Sequence, residues 1–189
     1  NVEMSVCKLS YFDFEKKISM RENIIYSKNL IEDYLIGKVT FYTFTPMWQR
    51  IFLEKQNQLF DESLTNLDDW DFNLRMLYQK PNITYSNEVL ILYRVHGDSL
   101  SQEIGKGNFK EVQSEFEARR KHFLFLMFKK NISLEIFKKF IVSRNKYFLR
   151  EALLAKNNHA FSLFLNLLLT QVLSLDFKGL IRNFLGYFG

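Results

Sequence analysis

Apolar and polar positions follow different patterns in the two parts of the chain. Before about residue 95, short runs of β-branched and aromatic residues alternate with helical patterns, which predicts strands mixed with helices. From about residue 105 onward, apolar residues recur at helical spacing, and four successive helices are predicted there. Strands or extended segments are expected near residues 2–9, 38–44, 83–85 and 89–93, with a short polar turn between the last two.

Three helices are predicted in the first part from their start and stop signals. A helix is expected over residues 27–36, between a serine cap and a glycine stop. Thr45 followed by Pro46 is a typical helix start, which predicts a second helix over residues 45–55. The third is expected to begin at residue 68 or 69 and to end before Pro81.

These patterns predict an α/β fold, of the α+β kind and mostly helical. Residues 1–105 are expected to hold the few strands together with helices, and residues 106–189 to form an all-helical region. The boundary is placed near Gly105, where the periodicity changes. No internal repeat is found.

Composition narrows the class of protein. The single Cys7 excludes an internal disulfide framework and a CxxC metal site. The net charge of +5 is too small to indicate a nucleic-acid partner by itself. Residues 157–175 carry no charge but contain Asn, Gln and hydroxyl residues, which favours a buried helix over a membrane span. The chain opens on Asn1 without Met, and we interpret it as a piece of a longer protein.

Three carboxylates stand at the start of the third predicted helix. Asp68 is expected to cap the helix and Asp71 to reach back to it as in a capping box. Asp71 and Arg75 are four residues apart and are expected to pair. Asp69 has no such structural role, and at the first helical position its pKa should be depressed by the helix dipole. Asp69 is therefore a candidate base, although a merely capped helix is the commoner case.

The last predicted strand ends in cationic and hydroxyl side chains. Arg94 and His96 share one side if the strand continues, and a guanidinium beside an imidazole suits a diphosphate. His96 is also a candidate metal ligand, and Ser99 adds a hydroxyl donor. A solvated strand end is the alternative. Earlier in the chain, Trp48 and Arg50 could face a sugar or an acidic acceptor, while Trp48 is equally expected in a core.

Read in order, four segments resemble the C-terminal half of a family 2 glycosyltransferase with the GT-A fold. The family pattern is an FDE loop, an ED-type motif opening a helix that carries an arginine, and a strand ending in YRxH followed by serines. The similarity covers residues 38–101 and, more loosely, residues 1–37. The matching segments are TFTPMWQR at 43–50, LFDESL at 59–64, DDWDFNLR at 68–75 and VLILYRVHGDSLS at 89–101.

The resemblance implies an inverting enzyme that moves a sugar from a nucleotide-sugar donor to a hydroxyl of a glycan or lipid-linked acceptor. Surface polysaccharide or glycan synthesis is the expected setting. In such enzymes the second acid of the ED motif deprotonates the acceptor hydroxyl, and that position matches Asp69. Asp68 stands where the family often has Glu, which is a departure from the pattern. Asp68, Trp48 and Arg50 would then lie on the acceptor side.

The resemblance also implies which residues meet the donor. The YRxH histidine, His96 here, lies near the donor diphosphate and its metal in such enzymes, with Arg94 and Ser99 beside it. The expected metal is Mg or Mn, held mainly by the N-terminal half that carries the nucleotide-binding sheet and the DxD motif. Neither of those is found in this chain. The chain is therefore expected to be the acceptor-side half, residues 1–105, followed by a helical C-terminal extension, and to be inactive alone.

A second hypothesis comes from the charge of the helical region. Residues 106–150 contain 12 Lys and Arg against 4 Glu, and the final residues 176–189 are basic and aromatic. A non-catalytic module that docks on a membrane surface or a partner is thus the alternative function. Either way the expected location is the cytoplasm, with peripheral contact at the inner face of the membrane as the alternative to a fully soluble state. Self-association is a further expectation, and nucleic acid is not an expected partner.

Overall fold

The computed structural model describes residues 1–95, 108–129 and 131–188 of the chain. It divides into two compact units, Asn1–Gln102 and Glu103–Gly189. The first unit combines strands and helices, while the described residues of the second are helical apart from their connections. The chain thus has a mixed α/β fold, as the sequence predicts. The finer GT-A architecture remains a prediction.

A four-stranded mixed sheet centred on β1 forms the base of the first unit. β1 pairs in parallel with β4 along one edge, from Met4 opposite Ile83 to Phe12 opposite Arg94. Its other edge is shared by two antiparallel strands, β3 at the beginning of β1 and β2 at its end. The four strands are β1 Met4–Asp13, β2 Ile18–Glu22, β3 Pro46–Trp48 and β4 Ile83–Arg94.

The predicted helix at Thr45 begins later than expected. Pro46–Trp48 is strand β3, with Trp48 opposite Met4, and helix α2 covers only Arg50–Glu54. Thr45 closes a turn instead of capping a helix, because its hydroxyl accepts a hydrogen bond from the Tyr42 N–H at 3.1 Å. Pairing with β1 therefore overrides the local helix signal.

The two strands predicted near residues 83–85 and 89–93 are one strand, β4. The register on β1 shifts where the polar turn was expected, since Cys7 pairs with Ser86 and the next residue, Lys8, pairs with Val89. The two residues between them form a bulge in the strand, and the chain does not reverse.

The other two helices of the first unit lie close to their predicted positions. Helix α1 covers Leu30–Leu35, and helix α3 covers Asp68–Leu77. The two helices contact each other, and the Trp70 indole N–H donates to the Tyr34 carbonyl at 3.2 Å. The core of this unit includes the fully buried side chains of Met4, Val6, Leu9, Tyr34, Leu35 and Leu74.

Four helices form the described part of the second unit, and all four were predicted. They are α4 Phe109–Leu126, α5 Glu135–Leu154, α6 Ala160–Leu173 and α7 Phe177–Phe188. Each helix contacts the next. Glu115 of α4 is buried and pairs with two guanidinium groups, Arg119 at 2.9 Å and Arg144 of α5 at 2.7 Å. The main apolar cluster contains Val112, Phe116, Phe148, Leu149, Ala152, Leu163, Phe164 and Leu167.

In the described parts of the chain, no helix combines the length and the apolar character that crossing a bilayer requires.

Candidate functional site

Asp69 lies in the first turn of α3, in a partly buried position against the segment that leads to β3. Its carboxylate interacts with the backbone N–H groups of Thr43 and Trp70. The buried Tyr34 ring is so close that the Asp69 charge raises the pKa of the Tyr34 phenol, in addition to the larger effect of burial. The Tyr34 hydroxyl itself donates to the Phe41 carbonyl at 3.1 Å. Packing of α3 on α1 and on residues 41–43 therefore fixes the surroundings of Asp69.

The protonation of Asp69 differs from the sequence-based expectation. Burial raises the pKa of Asp69 from 3.8 to about 6, and the adjacent Asp68 carboxylate adds to the increase. The N–H groups of Trp70 and Thr43 offset only part of it. The predicted depression of this pKa by the helix dipole is wrong, because removal from water outweighs the favourable N–H groups. A carboxylate with a pKa near 6 is a stronger base than a solvated one.

The two neighbouring carboxylates have different surroundings. Asp68 is exposed at the first helical position and does not cap the helix. The capping residue is Leu67, in the left-handed conformation at φ 61° with no side-chain cap. Asp71 is fully buried and accepts a hydrogen bond from Arg75 Nε at 2.8 Å, which confirms the predicted pair. The predicted capping box of Asp68 and Asp71 is therefore wrong.

Arg75 attaches a loop to this helix. Besides Asp71, its guanidinium donates to the Gln58 carbonyl at 2.7 Å and to the Leu59 carbonyl. These residues precede the Phe60-Asp61-Glu62 loop, and the Phe60 ring stacks on Phe72 of α3 at 4.8 Å. The ion pair that the sequence predicts therefore has a structural role. Asp68 and Asp69 are the carboxylates of this turn that remain, and of these two Asp69 is the partly buried one.

An aromatic cluster that includes both sequence neighbours of Thr43 was not predicted. The rings of Tyr42, Phe44 and Tyr93 lie nearly parallel, with centroids 5.7 to 5.9 Å apart. Tyr11 of β1 packs edge-on to Tyr93 at 5.4 Å, and its hydroxyl shares a hydrogen bond with that of Tyr42. Two of these residues flank Thr43, whose N–H contacts Asp69.

The signal for this cluster was weak in the sequence. Its four rings come from residues 11, 42, 44 and 93. The pairing of β1 with β4 brings Tyr11 beside Tyr93, and the segment that leads to β3 supplies the other two. The exposed Phe44 leaves part of the cluster open to solvent. Aromatic faces of this kind commonly line sites for ligands that have both apolar and hydroxyl surfaces.

The predicted donor-side residues are described only in part. Arg94 is exposed at the end of β4, and its guanidinium lies over the Phe14 ring at 4.8 Å. Phe14, Glu15, Arg94 and Val95 line an open depression there. Arg94 follows Tyr93 in β4, so the two side chains point to opposite faces of the sheet. His96 and Ser99 lie outside the described residues.

The predicted acceptor-side residues Trp48 and Arg50 lie elsewhere. Trp48 stacks on Phe52 at 5.4 Å and packs against the small cluster of Phe52, Phe72 and Met76. Arg50 is exposed and pairs with Glu54 at 2.7 Å. Trp48 pairs with Met4 and Arg94 with Phe12, so these two residues are separated by about 26 Å along β1. Acceptor binding by Trp48 and Arg50 stays a prediction.

The Mg or Mn that the resemblance implies stays a prediction. Within residues 1–95, 108–129 and 131–188, no three His, Cys, Asp or Glu side chains come together as ligands. The sequence prediction places the metal mainly on another part of the protein. No residue described here is therefore assigned to a metal ion.

Comparisons of this chain with protein-family models, with curated proteins and with solved structures find no match. The resemblance to family 2 glycosyltransferases therefore rests on the sequence motifs alone.

Proposed function

We propose that this chain is the acceptor-binding half, with a helical extension, of an inverting glycosyltransferase that takes its sugar from a nucleotide-sugar. Asp69 is the base that removes the proton from the acceptor hydroxyl. The observation that carries the proposal is the raised pKa of Asp69, to about 6, in a turn whose other buried carboxylate, Asp71, is paired with Arg75. The ordered motifs at residues 43–101 supply the reaction class.

The chemistry asked of Asp69 is a single proton transfer. The Asp69 carboxylate accepts the proton of the acceptor hydroxyl as the hydroxyl oxygen forms a bond to the anomeric carbon. The bond from that carbon to the diphosphate oxygen breaks, and its electron pair leaves with the nucleoside diphosphate. A positioned base contributes about 10²- to 10⁴-fold to the rate. The guanidinium of Arg94 is proposed to stabilise the leaving diphosphate, which gains from a cation.

The aromatic cluster supports a sugar or another polyhydroxyl acceptor next to Asp69. Sugar rings have apolar C–H faces that pack on aromatic rings and hydroxyl edges that need polar partners. The exposed ring of Phe44 and the neighbouring tyrosines offer an aromatic surface for the C–H face of the sugar. The Asp69 carboxylate offers a polar partner for its hydroxyl groups. This placement favours Phe44 and Tyr93 over the core-packed Trp48 as the acceptor platform.

The test is turnover in the intact protein that includes the donor-binding half, with release of nucleoside diphosphate from nucleotide-sugars as the readout. Asp69→Asn is expected to lower kcat by about 10²- to 10⁴-fold, because the amide cannot accept the proton. The wild-type rate should rise with pH through about 6, as the base loses its proton.

The matched control is Glu22→Gln, which removes one exposed carboxylate of the same unit, paired with Lys8 on the sheet surface. It should leave kcat unchanged. Near-normal turnover by folded Asp69→Asn would refute the assignment of the base. Sugar transfer by residues 1–189 alone would refute the proposal that this chain is only the acceptor half.

A further inference from the structure

Helix α6 exposes a continuous apolar stripe. Phe161, Leu165, Leu169 and Val172 are each between 43% and 53% exposed. Their spacing of four, four and three residues places them on one face of the helix. The opposite face packs into the core through Leu163 and Leu167. The apolar stripe is therefore a separate exposed surface and does not belong to the core.

Helix α7 carries a second stripe of the same kind. Phe177, Ile181, Phe184 and Leu185 are each between 48% and 66% exposed, at spacings of four, three and one residues. The inner side of this helix is held by Tyr187, whose ring stacks on Phe164 of α6 at 3.9 Å.

The two stripes adjoin where α6 and α7 meet. Phe161 of the first stripe lies 6.5 Å from the Tyr187 ring, and Phe184 of the second lies 6.3 Å from the Phe164 ring. Each stripe thus contains a ring close to the same stacked pair, Phe164 and Tyr187. Together they form one apolar face, defined here as the α6–α7 face, of eight large side chains. Soluble proteins rarely leave an apolar patch of that extent without an interaction role.

The charge next to this face is mainly positive. Lys178 and Arg182 are exposed and directly follow Phe177 and Ile181, which places them along the border of the second stripe. From residue 152 to 189, Asp176 is the only acidic residue in the sequence. Its carboxylate accepts hydrogen bonds from Gln171 and from the Gly179 N–H, so it is held at the start of α7.

We propose that the α6–α7 face lies on an anionic lipid surface, with its apolar side chains in the headgroup–acyl boundary and Lys178 and Arg182 on lipid phosphates. An apolar stripe bordered by Lys and Arg is the pattern of helices that lie in the plane of a membrane interface. Such cations are attracted to anionic leaflets, whereas a second copy of this basic surface would repel them. The proposal does not depend on transferase activity.

The test is co-sedimentation of the purified chain with vesicles of phosphatidylcholine, with and without phosphatidylglycerol. The chain should pellet with the anionic vesicles, and less so as salt rises. Ile181→Asp should weaken binding at least about tenfold, because it places a charge in the apolar boundary. The double variant Lys178→Glu with Arg182→Glu should weaken it on the order of 20-fold or more at low salt.

The chain offers matched controls in its first unit. Ile51→Asp changes an isoleucine that is 59% exposed, against 60% for Ile181, and should bind as the wild type does. Lys28→Glu with Lys55→Glu changes the net charge as much as the α7 double variant, and should have a clearly smaller effect. Far-ultraviolet circular dichroism checks that each variant is folded.

Three results would overturn the proposal. The first is no pelleting with anionic vesicles, or equal pelleting with neutral ones. The second is unchanged binding by folded Ile181→Asp. The third is a dimer, seen by light scattering, that Ile181→Asp dissociates, because the face would then be covered by a second copy of the chain. Vesicle binding needs no turnover, so failure here leaves the proposed role of Asp69 untouched.

Discussion

Two carboxylates at helices, Glu115 of the second unit and Asp69 of the first, are removed from water, and their pKa values shift in opposite directions. In the second unit, Glu115 is held between Arg119 and Arg144, which lower its pKa against the effect of burial. In the first unit, Asp69 has no such ion pair to a Lys or Arg of the described residues, and burial raises its pKa to about 6. The presence or absence of a paired cation decides whether the pKa of the carboxylate is lowered or raised. A buried carboxylate that is neutralised holds helices together, whereas one left without a cation is prepared to take up a proton.

The largest expected effect comes from removing Glu115, the carboxylate that is paired with two arginines. Glu115→Ala leaves the buried Arg119 and the half-buried Arg144 without their shared partner. We expect the free energy of unfolding of the second unit to fall by about 3–5 kcal/mol. Urea unfolding followed by circular dichroism measures it, since α4 to α7 contain most of the helical residues. Glu117→Ala, on the same helix, should cost less than about 0.5 kcal/mol. An equal cost for both would contradict the role of the buried network.

A smaller effect of opposite sign is expected at Asp69. Its folded pKa, about 6, lies above its ordinary value of 3.8, so its contribution to stability is fully present below pH 3.8 and is lost as the pH rises through 6. Asp69→Asn removes this loss of stability, because the amide does not ionise as the pH rises. The variant should match the wild type near pH 4 and exceed it at pH 7 by as much as about 3 kcal/mol.

Tryptophan fluorescence can follow this change in the first unit selectively. Trp48 and Trp70 are the only tryptophans of the chain, and both lie in that unit. A pH-independent difference between Asp69→Asn and the wild type would show that the Asp69 carboxylate has an ordinary pKa.

The smallest expected effect compares two buried amides. Asn73 of α3 is fully buried, and its side chain lies close enough to the Tyr34 hydroxyl to oppose the rise in the Tyr34 pKa, but its amide atoms complete no hydrogen bond of normal geometry among the described residues. Asn145 of α5 donates to the Ile141 carbonyl at 2.9 Å and lacks a partner only for its oxygen. Asn73→Leu should therefore stabilise the first unit by about 1 kcal/mol, and Asn145→Leu should bring a smaller gain or none. Destabilisation by Asn73→Leu in urea unfolding would mean that its amide has partners.

Local sequence patterns were sufficient to predict where most helices lie, but they were insufficient to predict how the strands of the sheet pair. The helices of the second unit and α3 were predicted because their apolar spacing and stop signals lie within one segment. Strand β3 was predicted as a helix because Thr45-Pro46 is a good helix start. Its pairing with Met4 to Val6, some 40 residues earlier in the sequence, leaves no local signal.

The candidate site likewise combines a feature that local spacing predicts with features that depend on contacts between distant segments. The pairing of Asp71 with Arg75 follows from a spacing of four residues and was predicted correctly. The raised pKa of Asp69 depends mainly on its burial, which the packing of other elements against α3 produces. The aromatic cluster likewise needs the parallel pairing of β1 and β4. Contacts of this kind have no signature in the order of residues, so the sequence could identify the carboxylate but not its surroundings.

The contacts of Arg75 limit which residues can replace it in this fold. Its guanidinium reaches one carboxylate and two backbone carbonyls in three directions, from Asp71 on one side to Gln58 and Leu59 on the other. A lysine ammonium has the same charge but concentrates it on one nitrogen and lacks the planar fork. Charge conservation alone therefore does not preserve this position. Among homologous chains that keep the loop attached to the helix, position 75 should vary less than any exposed cation of the same unit.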